Sequence, residues 1–412
     1  MRRTEALIIG AGQAGLAMSR HLTDRGIDHV VVDRGQVGER WRSERWDSLR
    51  LLTPNWQTRL PGWTYQGPDP DGFMTMGELA AHLAAYAVSF DAPVWEHTTV
   101  ERVRPLDDGY EVVTDRATWH ADNVVIATGA CDVPLVPAAA AGLDPRIQQL
   151  TPTRYRNPDQ LADGGVLVVG ASASGIQIAD ELAAAGRYVA LAVGSHTRLP
   201  RDYRGRDIQW WLDEIGVWDT DIADIRDVAA ARRAPSLQLI GTPERRSIDL
   251  ASLHARGVRM MGRLEMVDGT RIVAADSLAD DVARSDRRLH RLLDRIDAHV
   301  EAAGTSHCLE EAERPEPIRL STQLTALDLA IAGIRTVVWA TGFRREYPWL
   351  DVDACDAAGE LIHHRGVTPA PGLFALGLPM LMRRNSTFID GVGRDAAELA
   401  EHIHERAIAL AA

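Results

Sequence analysis

Residues 5–33 read EALIIGAGQAGLAMSRHLTDRGIDHVVVD, and the order of side chains in this stretch decides the fold. Glu5 to Gly10 is a short apolar run closed by glycine, the pattern of a buried strand. Gly10-Ala11-Gly12-Gln13-Ala14-Gly15 follows, then LAMSRHLTDRG as a helix ending at Gly26, then Asp28 to Asp33 as a second strand. A strand, GxGxxG and a helix within about 30 residues make the β-α-β unit that cradles a dinucleotide pyrophosphate. Gly10 allows the tight turn, Gly12 lets the backbone approach the phosphates, and Gly15 lets helix and strand pack closely. The helix start offers unpaired N–H groups and a positive dipole end. Asp33, with Arg34 beside it, ends the second strand, where a carboxylate accepts both hydroxyls of an adenosine ribose.

The pattern recurs at residues 165–193, GVLVVGASASGIQIADELAAAGRYVALAV. Here Gly170, Ser172, Ser174 and Gly175 mark the turn, with serine in place of the middle glycine. No acid ends the second strand of this unit. Val193-Gly194-Ser195 leads instead to His196-Thr197-Arg198-Leu199-Pro200-Arg201. Without a ribose carboxylate and with Arg198 and Arg201 nearby, this end suits an extra 2′-phosphate, hence NADPH, with NADH as the alternative. Two dinucleotide cradles in one chain imply two dinucleotides, and FAD with a nicotinamide is the pairing that does chemistry.

Outward from these motifs, the chain is 412 residues with 45 basic and 58 acidic side chains, a formal charge of −13 and 45% hydrophobic residues. That composition fits a globular chain of two or three domains. Its acidity argues against general nucleic-acid or anionic-membrane binding. Cys131, Cys308 and Cys355 are too few and too scattered for a disulfide framework, a CxxC redox pair or a zinc site. A reducing cytoplasm fits. No apolar run approaches the ~20 residues of a membrane helix. Arg2 and Arg3 before an apolar stretch mimic a signal peptide, but Gly10, Gly12 and Gly15 interrupt it and no cleavage site follows. The histidines are scattered, and His363-His364, read as a strand pair, point to opposite faces; no metal site is expected.

Between the cradles Met76 to Ala87 reads as a helix, and 98–103, 110–114 and 123–126 read as strands, the last ending in Ala127-Thr128-Gly129. A second such tripeptide, Ala340-Thr341-Gly342, follows the strand Thr336 to Trp339. Small residues there let the backbone pass close to a cofactor or hinge. Residues 276–304 read as a long polar helix whose Leu289, Leu292, Leu293, Ile296 and Val300 form one apolar stripe, packed in the core or against a second subunit of a homodimer. Four tryptophans between 41 and 63 read as packing. The expected architecture is α/β: two Rossmann-like dinucleotide-binding domains, the second inserted into the first. Residues 1–160 plus 320–412 form the FAD domain, and 161–319 the NAD(P)H domain with a helical insertion at about 204–310.

The motif order across nearly the whole chain resembles the NAD(P)H-dependent flavin-containing monooxygenases, bacterial and plant YUCCA-type members above all. The carriers are GAGQAG at Gly10, GERWRSERWDSLRLLTPNWQTRLPG at Gly38, ATGACDVPLVP at Ala127 and TRYRNP at Thr153. GASASG at Gly170, LPRDYRGRD at Leu199, WATGFRREYPWL at Trp339 and GLFALGLP at Gly372 complete them. The resemblance implies FAD on the first cradle and a nicotinamide dinucleotide on the second, with Arg40 and Trp41 as cofactor contacts. It implies Thr53 and Asn55 at the reacting flavin edge, and Gly377 with Asn385-Ser386-Thr387 capping the flavin. Asn55, Thr53 and Asn385 are therefore the candidates for hydrogen bonding there. The implied reaction is oxygenation of a small substrate with O₂, through a flavin hydroperoxide that the protein keeps dry. The alternative is an FAD-dependent NAD(P)H oxidoreductase without oxygen insertion. Two features depart from the family: Thr151 stands where its identifying motif carries histidine, and no arginine directly follows the second cradle's last strand.

Overall fold

The computed structural model describes residues 1–320 and 323–411, with side chains through Ile408. The first sheet is built around β1 (Arg2–Ile9), whose last four residues are buried. Gly12 leads into α1 (Gln13–Asp24), and β2 (His29–Val32) returns parallel to β1, with Ala6 opposite His29. α2 (Met76–Ser89) starts at a capping box, in which Thr75 and Glu78 each bond the other's backbone N–H. β3 (Val94–Trp95), β4 (Val100–Leu106), β5 (Gly109–Thr114) and β6 (Thr118–Ile126) complete the N-terminal part. The strand order is β3-β2-β1-β6-β5-β4.

The second sheet has the order β10-β9-β8-β11-β7. These are β7 (Gln148–Leu150), β8 (Gly165–Val169), β9 (Val189–Ala192), β10 (Arg259–Met261) and β11 (Ile334–Trp339). All of its pairings are parallel. Between β8 and β9 runs α3 (Ala173–Ala184), the counterpart of α1. Parallel strands buried on both faces require continuous apolar runs, which is why these segments do not alternate. β8 and β9 are buried at every residue.

The chain then returns to the first sheet. β12 (Leu373–Ala375) adds to β6, and α6 (Ile389–Ala411) lies against α1. His21 hydrogen-bonds the Gly393 carbonyl at 3.0 Å, and Arg25 pairs with Glu401 at 3.2 Å. The first domain is thus discontinuous, with the second inserted, as the motifs required. The second sheet also takes in β7 and β11, which lie outside the expected 161–319. Residues 321, 322 and 412 of the expected FAD segment lie outside the described residues.

The insertion is mixed rather than helical. It contributes α4 (Ile208–Glu214), β10, the antiparallel pair Leu264–Asp268 and Arg271–Ala274, to which Ala326–Asp328 adds from further along the chain, and α5 (Leu278–Ala303). The α5 stripe is settled by its neighbours: Leu289, Leu293, Ile296 and Val300 are buried with Leu199, Tyr203, Ile208 and Trp211 of the same chain. Residues 363–364 form no strand, contrary to the expected pair. No described helix is long and apolar enough to cross a membrane.

Candidate dinucleotide sites

The two glycine turns are the same object built twice. At Gly10, φ is +112°, and a Cβ would stand 2.6 Å from the Ala127 carbonyl oxygen; at Gly170, φ is +106° and the Ala340 oxygen is at 2.3 Å. A Cβ on Gly15 would meet the Gly10 oxygen at 1.8 Å, and one on Gly175 the Gly170 oxygen at 1.8 Å. These four positions are glycine because neighbouring backbone leaves no room.

Gly12 is different. A Cβ there would touch nothing within 4 Å, and φ is an ordinary −84°. Nothing inside the protein demands glycine, so the space it leaves lies outside the chain, where a pyrophosphate needs it. No side chain caps α1, and no acid sits in its first turn. Ser172, a strong capping residue type, likewise makes no cap hydrogen bond to α3. Both helix starts keep their N–H groups and positive ends available to phosphate, so the residues present fit two dinucleotides.

Around the first turn the expected residues converge. Asp33 accepts the Ala11 N–H at 2.7 Å and the Gly35 N–H at 2.8 Å, one on each oxygen. Each oxygen keeps lone pairs for a ribose hydroxyl. Gln13 accepts from the Trp41 indole at 3.4 Å and donates to the Thr387 carbonyl at 3.3 Å. Gly377 has φ +75°, and a Cβ would lie 2.9 Å from that of Ala14. The C-terminal segment therefore seats on the start of α1. Thr128 and Gly129 follow β6 beside Gly10, and Gly129 has φ +85°. Thr341 donates to the Leu135 carbonyl, and Phe343–Arg344 pairs antiparallel with Val133–Pro134. The two crossovers after Gly129 and Gly342 are thus bonded to each other as a double strap between the domains.

Several expected roles do not survive. Arg198 is 3% exposed, with Nη1 on Asp249 at 3.0 Å, Nε on Asp286 at 2.8 Å and Nη2 on the Glu316 carbonyl at 2.7 Å. Arg201 is 1% exposed, held by Asp207 at 2.5 Å and the Leu52 carbonyl at 2.8 Å, over the Phe73 ring. Both guanidiniums are consumed by internal partners and cannot grip a 2′-phosphate. Ser195, by contrast, is exposed at the end of the second unit. Arg34 is exposed and pairs with Glu44 at 3.2 Å. Arg40 binds Asp132 and Glu44, tying its helix to the crossover rather than reaching out to a cofactor.

The expected flavin-edge residues divide. Asn55 is buried and spends its amide on the loop: Nδ2 donates to the Asp69 carbonyl at 2.9 Å, and Oδ1 accepts the Met74 N–H at 2.8 Å. It acts as a clamp on residues 69–74. Thr53 is half-buried. Asn385 is 1% exposed, with Nδ2 toward Asp219 at 3.5 Å and Oδ1 without a partner. Tyr155, in the segment where the motif histidine is missing, donates to Glu181 at 2.6 Å, and Thr151 closes the turn by accepting its N–H at 2.9 Å. That segment is a clasp on α3.

Sequence reasoning missed Gln238, which is fully buried and donates to the Ala171 carbonyl at 2.6 Å, lashing the second turn from the insertion. It missed Gln57 as well, 1% exposed with neither amide atom partnered. Neither sits in a repeated spacing, so no local signal marks them. Burial lowers the pKa of His196, beside the second cradle, keeping its imidazole neutral. Among the described residues no cluster could hold a metal, and all three cysteines are free.

Comparison with known proteins bears on these cradles. A family model described as pyridine nucleotide-disulphide oxidoreductase matches residues 7–213. An uncharacterized oxidoreductase, CzcO-like, of Geobacillus kaustophilus is 32% identical over 403 residues, covering 97% of this chain and 98% of its own. The indole-3-pyruvate monooxygenase YUCCA4 of Oryza sativa is 29% identical over 219 residues, covering 48% of this chain and 50% of its own. The solved structure of a flavin-containing monooxygenase from Stenotrophomonas maltophilia aligns with a TM-score of 0.68 at 20% identity, covering 99% of this chain and all of that one.

Proposed function

Since the chain belongs to the pyridine nucleotide-disulphide oxidoreductase family, we propose that it is an FAD-dependent monooxygenase that uses NADPH and O₂ to oxygenate a small organic substrate. The disulphide branch of that family is a poor model, because Cys131, Cys308 and Cys355 include no CxxC pair. The likeness to flavin-containing monooxygenases read from the motifs extends to the whole fold. The observation that carries the proposal is the duplicated cradle. Gly12 and Ser172 leave two uncapped helix starts, and two mutually bonded crossovers join the domains that hold them.

Bound FAD would supply hydride acceptance and oxygen activation. The chain's own residues have simpler tasks. The first turns of α1 and α3 hold phosphates, and Asp33 orients an adenosine ribose. Gln13, Trp41 and Thr387 close the C-terminal segment over the first cradle and exclude water. Thr53 and the unpartnered Oδ1 of Asn385 are the hydrogen-bonding groups proposed for the flavin edge. The oxygen acceptor belongs to the soft nucleophiles or electron-rich carbons.

A second reading, electron transfer without oxygen insertion, draws on Asn55, whose amide is occupied by the 69–74 loop. One experiment separates the two. Purified enzyme with FAD is given NADPH and a panel of amines, sulfides, indoles and ketones, and products are weighed for one added oxygen atom. Substrate-stimulated NADPH consumption with an oxygenated product supports the proposal. Stoichiometric peroxide with every substrate, or turnover with an artificial acceptor under anaerobic conditions alone, selects the second reading.

A further inference from the structure

The adenosine ribose of a dinucleotide lies beyond the carboxyl end of the second strand of its β-α-β unit. At the second cradle that place is the turn Val193-Gly194-Ser195-His196, after β9. It carries no carboxylate, and the two arginines nearest in sequence are buried in ion pairs. A bare ribose would find no carboxylate acceptor in this turn, whereas a phosphomonoester would need unpaired donors.

Two unpaired cations reach this turn from elsewhere in the chain. β10 runs parallel to β9, and Val193 N–H donates to the Met261 carbonyl at 2.9 Å, so the chain leaves β10 at the same sheet end. The next residues are Gly262 and Arg263. Arg263 Nε stands 3.8 Å from where a Cβ on Gly194 would be. Its side chain is exposed and pairs with no carboxylate among the described residues. Its backbone is fixed: the Arg263 carbonyl accepts from Ala275 at 2.8 Å, and a Cβ on Gly262 would meet the Ala275 oxygen at 2.0 Å.

The second cation comes from α5, where Arg288 Nη1 donates to the His196 carbonyl at 3.3 Å. It too is exposed and in no ion pair among the described residues. The turn between them is held by the His196 ring, whose Nδ1 bonds the Gly194 carbonyl at 3.0 Å. Asp281 and Asp286 also face this imidazole, but Arg284 binds the first and Arg198 the second. What remains uncompensated is two guanidiniums flanking one exposed serine hydroxyl.

We propose that Arg263 and Arg288, with Ser195 between them, recognise a 2′-phosphomonoester on the dinucleotide of the second cradle and thereby set NADPH above NADH. The proposal rests on the dinucleotide reading of that cradle. The test is calorimetric binding to the FAD-loaded protein, with 2′,5′-ADP and 5′-AMP as fragments and NADP⁺ and NAD⁺ as whole ligands. Wild type binds 2′,5′-ADP more tightly than 5′-AMP, and the difference shrinks as salt rises. Arg263→Ser and Arg288→Ser each weaken 2′,5′-ADP by about 10-fold and the double variant by about 100-fold, with 5′-AMP unchanged. Equal binding of the two fragments to wild type, or undiminished discrimination in the double variant, overturns the assignment. Binding of NADP⁺ together with either of those results would leave the cradle reading intact. If neither dinucleotide binds, the cradle reading falls and takes the assignment with it.

Discussion

The two cradles share their backbone and differ in their electrostatics. Gly10 and Gly170, Gly15 and Gly175, and the carbonyls of Ala127 and Ala340 are interchangeable in geometry. What differs is the far end of each unit. Asp33 closes the first and is pinned by two backbone N–H groups, whereas Ser195 stands at the second with Arg263 and Arg288, which form no ion pair among the described residues. Steric needs of a tight turn admit one answer, so they repeat. Ligand identity is decided by a few charges at the rim, where many arrangements are sterically equal.

The sharpest way to break the comparison is to destroy one backbone and spare the other. Gly15→Val and Gly175→Val each drive a side chain into a carbonyl at 1.8 Å and should cost about 3 kcal/mol or more locally. Gly175→Val should keep FAD yet lose reduction by NADPH, and Gly15→Val should lose FAD; flavin absorbance and anaerobic reduction distinguish them. If Gly175→Val is reduced normally, the second cradle does not hold the nicotinamide.

Gly12→Val and Ser172→Val leave both backbones intact and fill only the outer space. The thermal midpoint of the apoprotein should be unchanged by Gly12→Val, while FAD affinity falls about 100-fold, near 2.7 kcal/mol. Ser172→Val should do the same to NADPH. A Gly12→Val protein that retains flavin would remove the phosphate from this turn.

Smaller effects test the rims. Asp33→Asn should lose one of two backbone hydrogen bonds, about 1–2 kcal/mol, measurable as weaker FAD retention. Ser195→Asp should make the second rim resemble the first and move preference toward NADH by about 10-fold in kcat/KM.

The smallest effect is one the two cradles share with the rest of the chain. Burial lowers the folded-state pKa of His21, His29 and His82 in the first domain and of His196 in the second. In the returning segment burial carries His363 down to about 4. In the unfolded chain these groups titrate near 6.5, so the unfolded state takes up protons first as pH falls. Stability should therefore be fully present above about pH 6.5 and decline toward pH 4. A thermal midpoint lower at about pH 5 than at about pH 7.5 checks the sign, and His363→Gln should flatten the slope.

Much of this was legible in the chain. The spacing 10-12-15 and its echo 170-172-175 specify turns by local sterics, and parallel buried strands announce themselves as unbroken apolar runs. The insertion of one domain into the other followed from the second tripeptide at Ala340. The edges were harder. Gln148–Leu150 carries no strand pattern and becomes one only because Thr336–Val338 lies beside it. Asn55 sits at the expected place in its motif, yet its amide is claimed by Asp69 and Met74, residues no spacing rule connects to it.

The arginines show most plainly where local reading stops. By itself the sequence determined two phosphate cradles, a discontinuous first domain and an α/β sheet architecture, because a tight turn, a helix start and an apolar strand depend on neighbours within a few residues. Whether a cation is free depends on which carboxylates the fold brings to it. Arg198 and Arg201 met Asp249, Asp286 and Asp207 and were neutralised, while Arg263 and Arg288 reached the turn after Val193 in no ion pair among the described residues. Only the tertiary structure decided that, since charge pairing acts across space between segments whose separation in sequence carries no information about their contact.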